Sequence, residues 1–219
     1  MTISKGNCYL CGRELGKTAI KNHILKVHTE VSGQECRLLK IEGAYNKNYW
    51  LYVDIPTSST LSTLDIFLRK IWLECCGHLS VFRDHYDEVG MSRKLSTFEE
   101  GDQLLHEYDF GSTTETLISV LGTVYRKQQR GVRLLARNIP PEFRCCECGE
   151  IAEYISTPQL YSSDNPFYCN ECAEKKDDEF NWGLLPVTNS PRMGVCGYCG
   201  EQDTFTFVSP IKATPRKKE

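Results

Sequence analysis

The chain has 219 residues, of which 40% are hydrophobic and 25% charged, and a formal net charge of −3. That allows one or two domains with ordinary cores plus small appendages. No apolar run approaches the roughly 18 residues that span a bilayer, and the first residues lack the apolar centre of a signal peptide. The expectation is a cytoplasmic protein without membrane association.

The charge is uneven. Residues 1–40 carry seven basic against three acidic side chains, and residues 137–179 carry four against ten. A basic N-terminus suits an acidic partner, whereas the acidic stretch argues against nucleic-acid contact there. Twelve cysteines are the strongest compositional signal. In a reducing compartment such a density points to metal rather than disulfides. Eight of them form Cys-x2-Cys pairs: Cys8/Cys11, Cys145/Cys148, Cys169/Cys172 and Cys196/Cys199. A two-residue gap lets both thiolates of one tight turn face a single ion at about 2.3 Å.

In chain order, Cys8-x2-Cys11-x11-His23-x4-His28 comes first. It resembles the two-Cys-two-His zinc finger of ββα type, one residue short in its central loop. Leu15 and Ile20 stand where that family places core residues. Thr18 is the expected helix cap, and Ile20, Ile24 and Val27 share a helical face. The four-residue gap between the histidines predicts a distorted last turn. Four protein ligands would close the zinc shell, leaving a structural rather than catalytic ion. Counting back from His23, the base-reading positions fall on Gly16, Ala19 and Asn22. Only Asn22 offers side-chain hydrogen bonds, so nucleic acid would be held without specificity, through Lys17, Lys21 and Lys26 on phosphates.

Residues 37–42 and 49–55 read as strands about a turn. In the second, Tyr49, Leu51, Val53 and Ile55 alternate with Trp50, Tyr52 and Asp54. Ser62-x-x-Asp65 has the form of a capping box. Leu61, Leu64, Leu68, Ile71, Trp72 and Cys75 follow helical spacing. Residues 78–83, 103–110 and 114–125 are further strands. The expectation is an α+β domain over residues 36–136, a sheet with one main helix. Residues 50–55, Ser59-Thr60-Leu61, Gly77-His78-Leu79 and His106-Glu107-Tyr108-Asp109-Phe110-Gly111 follow the order of motifs in the plasmid pRiA4b ORF-3-like family, which this stretch resembles. The family's "YEYDFGDGW" is matched by residues 106–112, with Ser112-Thr113-Thr114 in place of Asp-Gly-Trp. The resemblance implies a compact α+β fold, also met as a passenger protein in insertion elements, and implies no particular chemistry.

An enzymatic alternative uses Glu107 and Asp109, two apart on one strand, with His78, His85 or His106, as in a hydrolase. The plainer reading makes Glu107 and Asp109 a solvated face, with Leu104, His106, Tyr108 and Phe110 inside. No phosphate loop, dinucleotide fingerprint, nucleophile elbow or His-Glu-x-x-His motif occurs. Cys36, Cys75, Cys76 and Cys146 read as buried small hydrophobes or spare thiols.

Pro140-Pro141 marks a linker. Cys145-x2-Cys148-x20-Cys169-x2-Cys172 then has the spacing of a four-cysteine zinc ribbon, expected over residues 142–208. Cys169/Cys172 can pair with Cys145/Cys148 or with the further Cys196/Cys199; the first order, knuckle–strand–loop–knuckle, is complete and preferred. A thiol redox role for Cys196/Cys199 lacks a preceding βαβ unit. Residues 204–208 look strand-like, and residues 209–219 read as a flexible basic tail. The whole is expected to be a non-enzymatic protein. A finger over residues 1–30 and a ribbon hold about two zinc ions and flank a platform for another macromolecule. A protein partner is favoured, and nucleic acid is the alternative through the basic finger.

Overall fold

The fold comes from a computed structural model, which describes residues 4–28, 30–85, 87–128, 130–180 and 183–201, with the side chains of 177–180 left aside. The strand-like 204–208 and the tail 209–219 lie outside the described residues. The chain is mixed α+β, dominated by one antiparallel sheet of nine strands among the described residues. No described helix is long and apolar enough to cross a membrane.

The elements are β1 (Lys5–Cys8), β2 (Glu14–Gly16), α1 (Lys17–Val27), β3 (Gln34–Gly43), β4 (Trp50–Pro56) and α2 (Leu61–Leu68). The last continues as a π-helical turn, Arg69–Leu73. There follow β5 (Ser80–Asp84), β6 (Asp87–Val89), β7 (Gln103–Tyr108), β8 (Thr114–Arg126) and β9 (Arg133–Asn138). A smaller unit holds β10 (Tyr154–Ser156), β11 (Phe167–Tyr168), α3 (Asn170–Phe180) and β12 (Leu184–Pro186). The large sheet runs β2-β1-β9-β4-β3-β8-β7-β5-β6, the small one β11-β10-β12.

Strand β4 explains the layering. All seven of its residues are buried, because both of its faces are covered. Leu51, Val53 and Ile55 pack with Leu39 and Ile41 against Leu61, Leu64, Phe67, Leu68, Ile71 and Trp72 of α2 and its π turn. Trp50 and Tyr52 face the other way, with Leu38, Val124 and Leu135, and are covered by Ile20 and Ile24 of α1. Helix α1, expected to belong to a separate finger, is therefore the second layer of the central sheet. Its hairpin belongs to the same sheet, since β1 pairs with β9 from Gly6↔Asn138 to Cys8↔Ala136. Strand β9 was not anticipated; it lies between β1 and β4 and joins the finger to the platform.

Several local expectations are corrected. Gly16, not Thr18, precedes α1, without a side-chain cap. Val27 turns outward, 60% exposed. Helix α2 begins at Leu61 behind Thr60, also without a side-chain cap. Asp65 binds Arg69, Ser80 and His106 instead of closing a capping box.

Candidate metal centres

Three groups of four Cys or His ligand atoms occur among the described residues, each with all its atoms within 4.8 Å of one another. A tetrahedral zinc ion with Zn–S near 2.3 Å and Zn–N near 2.05 Å sets ligand–ligand edges of about 3.8 Å for two sulfurs, 3.6 Å for sulfur and nitrogen, and 3.3 Å for two nitrogens.

The first group is Cys8, Cys11, His23 and His28. The Cys8 N–H donates to the Arg13 carbonyl at 2.9 Å, and the Gly12 N–H to the Cys8 carbonyl at 2.7 Å. This folds residues 8–13 into a knuckle, and Gly12 supplies the left-handed φ of 74° that closes it. His23 lies in the last turns of α1. His28 follows just beyond, its N–H still on the Ile24 carbonyl and its φ at −118°. Leaving the helix at that point is how a five-residue step brings two imidazoles together. Cys11 Sγ is 3.1 Å from His23 Nε2, Cys8 Sγ 3.6 Å from His28 Nε2, and the two Nε2 atoms 3.1 Å apart. The Cys8–His28 and His23–His28 distances lie close to tetrahedral edges, and the Cys11–His23 distance is shorter than one. Burial holds both histidines below the usual imidazole range, with Arg13 adding to it at His23 and chiefly His23 at His28. Both are thereby kept in the neutral form that binds metal.

The second group is Cys145, Cys148, Cys169 and Cys172, the pairing preferred from the sequence. Residues 145–150 repeat the knuckle bonds: Cys145 N–H to Glu150 O at 2.8 Å, Gly149 N–H to Cys145 O at 3.0 Å. The other pair is not a second knuckle on a hairpin. Cys169 immediately precedes α3, and Cys172 sits in its first turn. Residues 170–180, Asn-Glu-Cys-Ala-Glu-Lys-Lys-Asp-Asp-Glu-Phe, contain no glycine to turn on and are rich in helix formers. Cys148 Sγ lies 3.6 Å from Cys169 Sγ and 3.8 Å from Cys172 Sγ, the edges expected for sulfur ligands. At Cys145 burial works against ionisation, but backbone N–H groups at Cys169, Cys148 and Glu147 bring the thiol down to about 6. At Cys172, hydrogen bonding with Cys169 and burial push the thiol up to about 12. Four crowded thiols cannot all ionise unless a cation offsets them, so metal binding would release protons. Beside this group runs an open groove of about 600 Å³, with Glu150, Glu153 and Glu171 on its walls.

The third group, Cys75, Cys76, His78 and Cys196, was not foreseen. Cys75 and Cys76, read as small hydrophobes or spare thiols, stand in this group, and Cys196 joins neither Cys169 nor Cys172. Cys199 enters none of the three groups; its thiol points to the Gly197 carbonyl at 3.3 Å. The missed signal was Cys75-Cys76-Gly77-His78, three donor residues in four, whose fourth partner is 120 residues away. Of the other cysteines read as spare, Cys36 is buried in the α1 layer and Cys146 is exposed.

Of the proposed acid–base residues, His78 and Asp109 stand together, Nδ1 3.5 Å from Oδ1, and the others diverge. Glu107 is paired with Arg83 at 3.0 Å and Asp109 with Arg192 at 2.7 Å. Asp109 is not on a solvated face; it is buried, whereas Phe110, expected inside, is 57% exposed. His106 is wholly buried, with Nε2 2.9 Å from Asp65. His85 is exposed near Asp84. Of the lysines assigned to phosphate contact, Lys17 is tied to Glu42.

No family model matches the sequence, and no curated protein matches it. The crystal structure of a protein of unknown function from Methanosarcina mazei Go1 is similar over 54% of this chain and 76% of that one, at 16% identity and a TM-score of 0.41.

Proposed function

We propose that the chain is a non-enzymatic zinc protein whose metal sites hold a sheet platform and a small C-terminal unit in shape for contact with another protein. One observation carries the metal part. At both terminal groups four protein donors converge, all within 4.8 Å of one another, which would complete a tetrahedral shell and leave no position for a substrate. Zinc would be held by Cys8, Cys11, His23 and His28 at one place, and by Cys145, Cys148, Cys169 and Cys172 at the other.

The non-enzymatic part is supported by the partners of Glu107, Asp109 and His106. Each is engaged with a neighbouring side chain, Glu107 with Arg83, Asp109 with Arg192 and His78, and His106 with Asp65. A protein partner is favoured over nucleic acid on electrostatic grounds. Lys17 spends its charge on Glu42, and the groove beside the second group is rimmed by glutamates, which repel phosphate. The likeness to proteins carried by insertion elements adds a cellular context to the same reading.

The metal reading is tested by elemental analysis of protein purified without added metal. At least two zinc ions per chain are expected, and Cys11→Ser and Cys148→Ser should each remove one. Less than one ion in the wild type overturns it. The preference for protein is tested by a salt titration against duplex DNA and single-stranded RNA. No binding is expected at low salt, and binding that weakens steeply with salt would reverse the preference.

A further inference from the structure

The segment 74–79, after the π turn of α2, is built rigidly. The Glu74 carboxylate accepts the Gly77 N–H at 2.6 Å, the Tyr108 hydroxyl at 3.0 Å and the Arg69 guanidinium at 3.0 Å. Arg69 in turn donates to the His78 carbonyl at 2.6 Å. Cys75, Cys76 and His78 project from this loop. Across from it, residues 189–201 lie as a strap on the central domain, with Ser190 Oγ on the Trp72 carbonyl at 2.6 Å and Arg192 and Tyr198 buried.

The strap brings Cys196 to the loop. Cys76 Sγ stands 3.7 Å from Cys75 Sγ and 3.8 Å from Cys196 Sγ. His78 Nε2 stands 2.9 Å from Cys76 Sγ and 3.2 Å from Cys196 Sγ. The sulfur–sulfur spacings match a tetrahedral zinc edge, the two sulfur–nitrogen spacings are shorter than one, and all four ligand atoms lie within 4.8 Å of one another.

Two further observations point to a ligand. First, the surroundings are those of a metal site. Asp109 Oδ1 lies 3.5 Å from His78 Nδ1, facing the ring nitrogen opposite the cluster. Arg192 Nη2 lies 3.4 Å from Cys75 Sγ and 2.7 Å from Asp109 Oδ2. Three thiolates and one imidazole around a divalent ion carry a net charge of −1, which the Arg192 guanidinium offsets; a carboxylate behind a ligating histidine fixes its ring orientation. Second, only three described non-glycine residues have left-handed backbone; one is Cys196 of the cluster (φ 49°) and another is Asp109 (φ 66°), which faces His78. Such conformations cost about 1–3 kcal/mol each and persist where something holds them.

We infer that Cys75, Cys76, His78 and Cys196 form a third zinc site, a clasp that fastens the strap of residues 189–201 to the central sheet domain. Binding would displace three thiol protons to solvent and form three Zn–S bonds and one Zn–N bond. The clasp rests on the same ligand chemistry as the two terminal sites but not on the protein-partner reading.

The test counts ions and reads the strap. Full-length protein, purified under reducing conditions, is weighed by native mass spectrometry and then loaded with cadmium-113 for NMR. Three ions are expected, with three cadmium signals ordered by thiolate number: two for the N-terminal set, three for the clasp, four for the 145–172 set. Cys196→Ser should leave two ions, lose the middle signal, and raise amide exchange over residues 189–200 at least tenfold. Cys196→His, which keeps a donor, should restore the third ion; Cys199→Ser should retain all three. Cys11→Ser should also leave two ions, yet keep strap exchange at the wild-type rate. The clasp is overturned if Cys196→Ser keeps the wild-type count, or if the wild type holds two ions and these go with Cys11 and Cys148. A wild type holding none overturns the terminal sites as well, so the two failures are distinguishable.

Discussion

Three loops in this chain are spelled Cys-x2-Cys-Gly, and they do not share a structure. At Cys8/Cys11 and Cys145/Cys148 the first cysteine's N–H reaches the carbonyl five residues on, and its carbonyl takes the N–H of the glycine four residues on. Both thiols then face one point. At Cys196/Cys199 the backbone turns left-handed at Cys196 and Gly197, and Tyr198 is drawn into the core, 1% exposed. The middle residues of the second knuckle, Cys146 and Glu147, stay at the surface. A tyrosine in that middle position buries itself, the two thiols separate, and only Cys196 reaches a cluster. The spelling thus permits a knuckle without dictating one: Tyr9 and Leu10 are half-buried in the first and a knuckle forms, whereas Tyr198 is fully buried in the third and none does.

The comparison is broken most forcefully at Cys148. The 145–172 set lies on a unit whose strands are two or three residues long. Such a sheet is too small to hold itself, so a bound metal would supply most of its folding free energy. Cys148→Ser is expected to abolish nearly all amide protection over residues 144–176 while the nine-stranded sheet keeps its own. Cys11→Ser removes one ion too, but α1 stays anchored by Ile20 and Ile24, which are fully buried on the sheet. Equal loss of protection in the two variants would erase the distinction.

The strap loop is tested at Arg192. Its guanidinium is wholly buried among Asp109, Thr114, the Ser112 carbonyl and Cys75, and stacks 4.7 Å from the Tyr108 ring. Arg192→Met would leave Asp109 buried without its ion partner. The expected loss is about 3–5 kcal/mol in urea unfolding. A change below about 1 kcal/mol would mean that the strap is not anchored through this residue.

What was legible follows from how local each feature is. The N-terminal candidate ligands fall within 21 residues, and those of 145–172 are two tight pairs, so both groupings are legible from spacing alone. The helix over Leu61–Leu68 and strands β3, β4, β7 and β8 were legible from periodicity. The clasp was not, because Cys76 and Cys196 are brought together by the packing of Ser190, Arg192 and Tyr198, which leaves no spacing to count. Strand β9 was missed because its identity depends on neighbours distant in sequence. The second pair's helix was missed because Cys-x2-Cys was read as a turn, although the residues after Cys169 favour a helix. Asp109 was assigned outward by strand alternation, but β7 ends at Tyr108 and the chain turns left-handed one residue later.

The join between the first knuckle and the platform gives a smaller effect. A Cβ at Gly6 would lie 2.3 Å from both the Trp50 ring and the Arg137 carbonyl. Glycine is required there because β1 crosses the indole in contact. Gly6→Ala should cost about 1–3 kcal/mol in urea unfolding, with increased exchange in β1 and β9 and the zinc count unchanged. Loss of an ion in this variant would show that the knuckle depends on its seat in the sheet.

The smallest expected effect is a pH dependence of that same seat. Glu42 on β3 is buried, which raises its carboxyl, but hydrogen bonds and charge from Lys17 and Lys40 outweigh burial and hold it below the usual carboxylate range. A carboxyl depressed in the folded state gives stability that is fully present above the unfolded value and is lost as pH falls through the folded one. Lys17 is the first residue of α1, so the pair ties the finger's helix to the sheet. Glu42→Gln should cost about 1–2 kcal/mol at pH 7, and the gap to the wild type should close as pH falls below 4. Acid also strips metal by protonating its ligands, so the comparison belongs in chelator-treated protein, where that contribution is absent from both. A gap that stays constant from pH 7 to pH 3 would assign the loss to packing rather than to the carboxylate's charge.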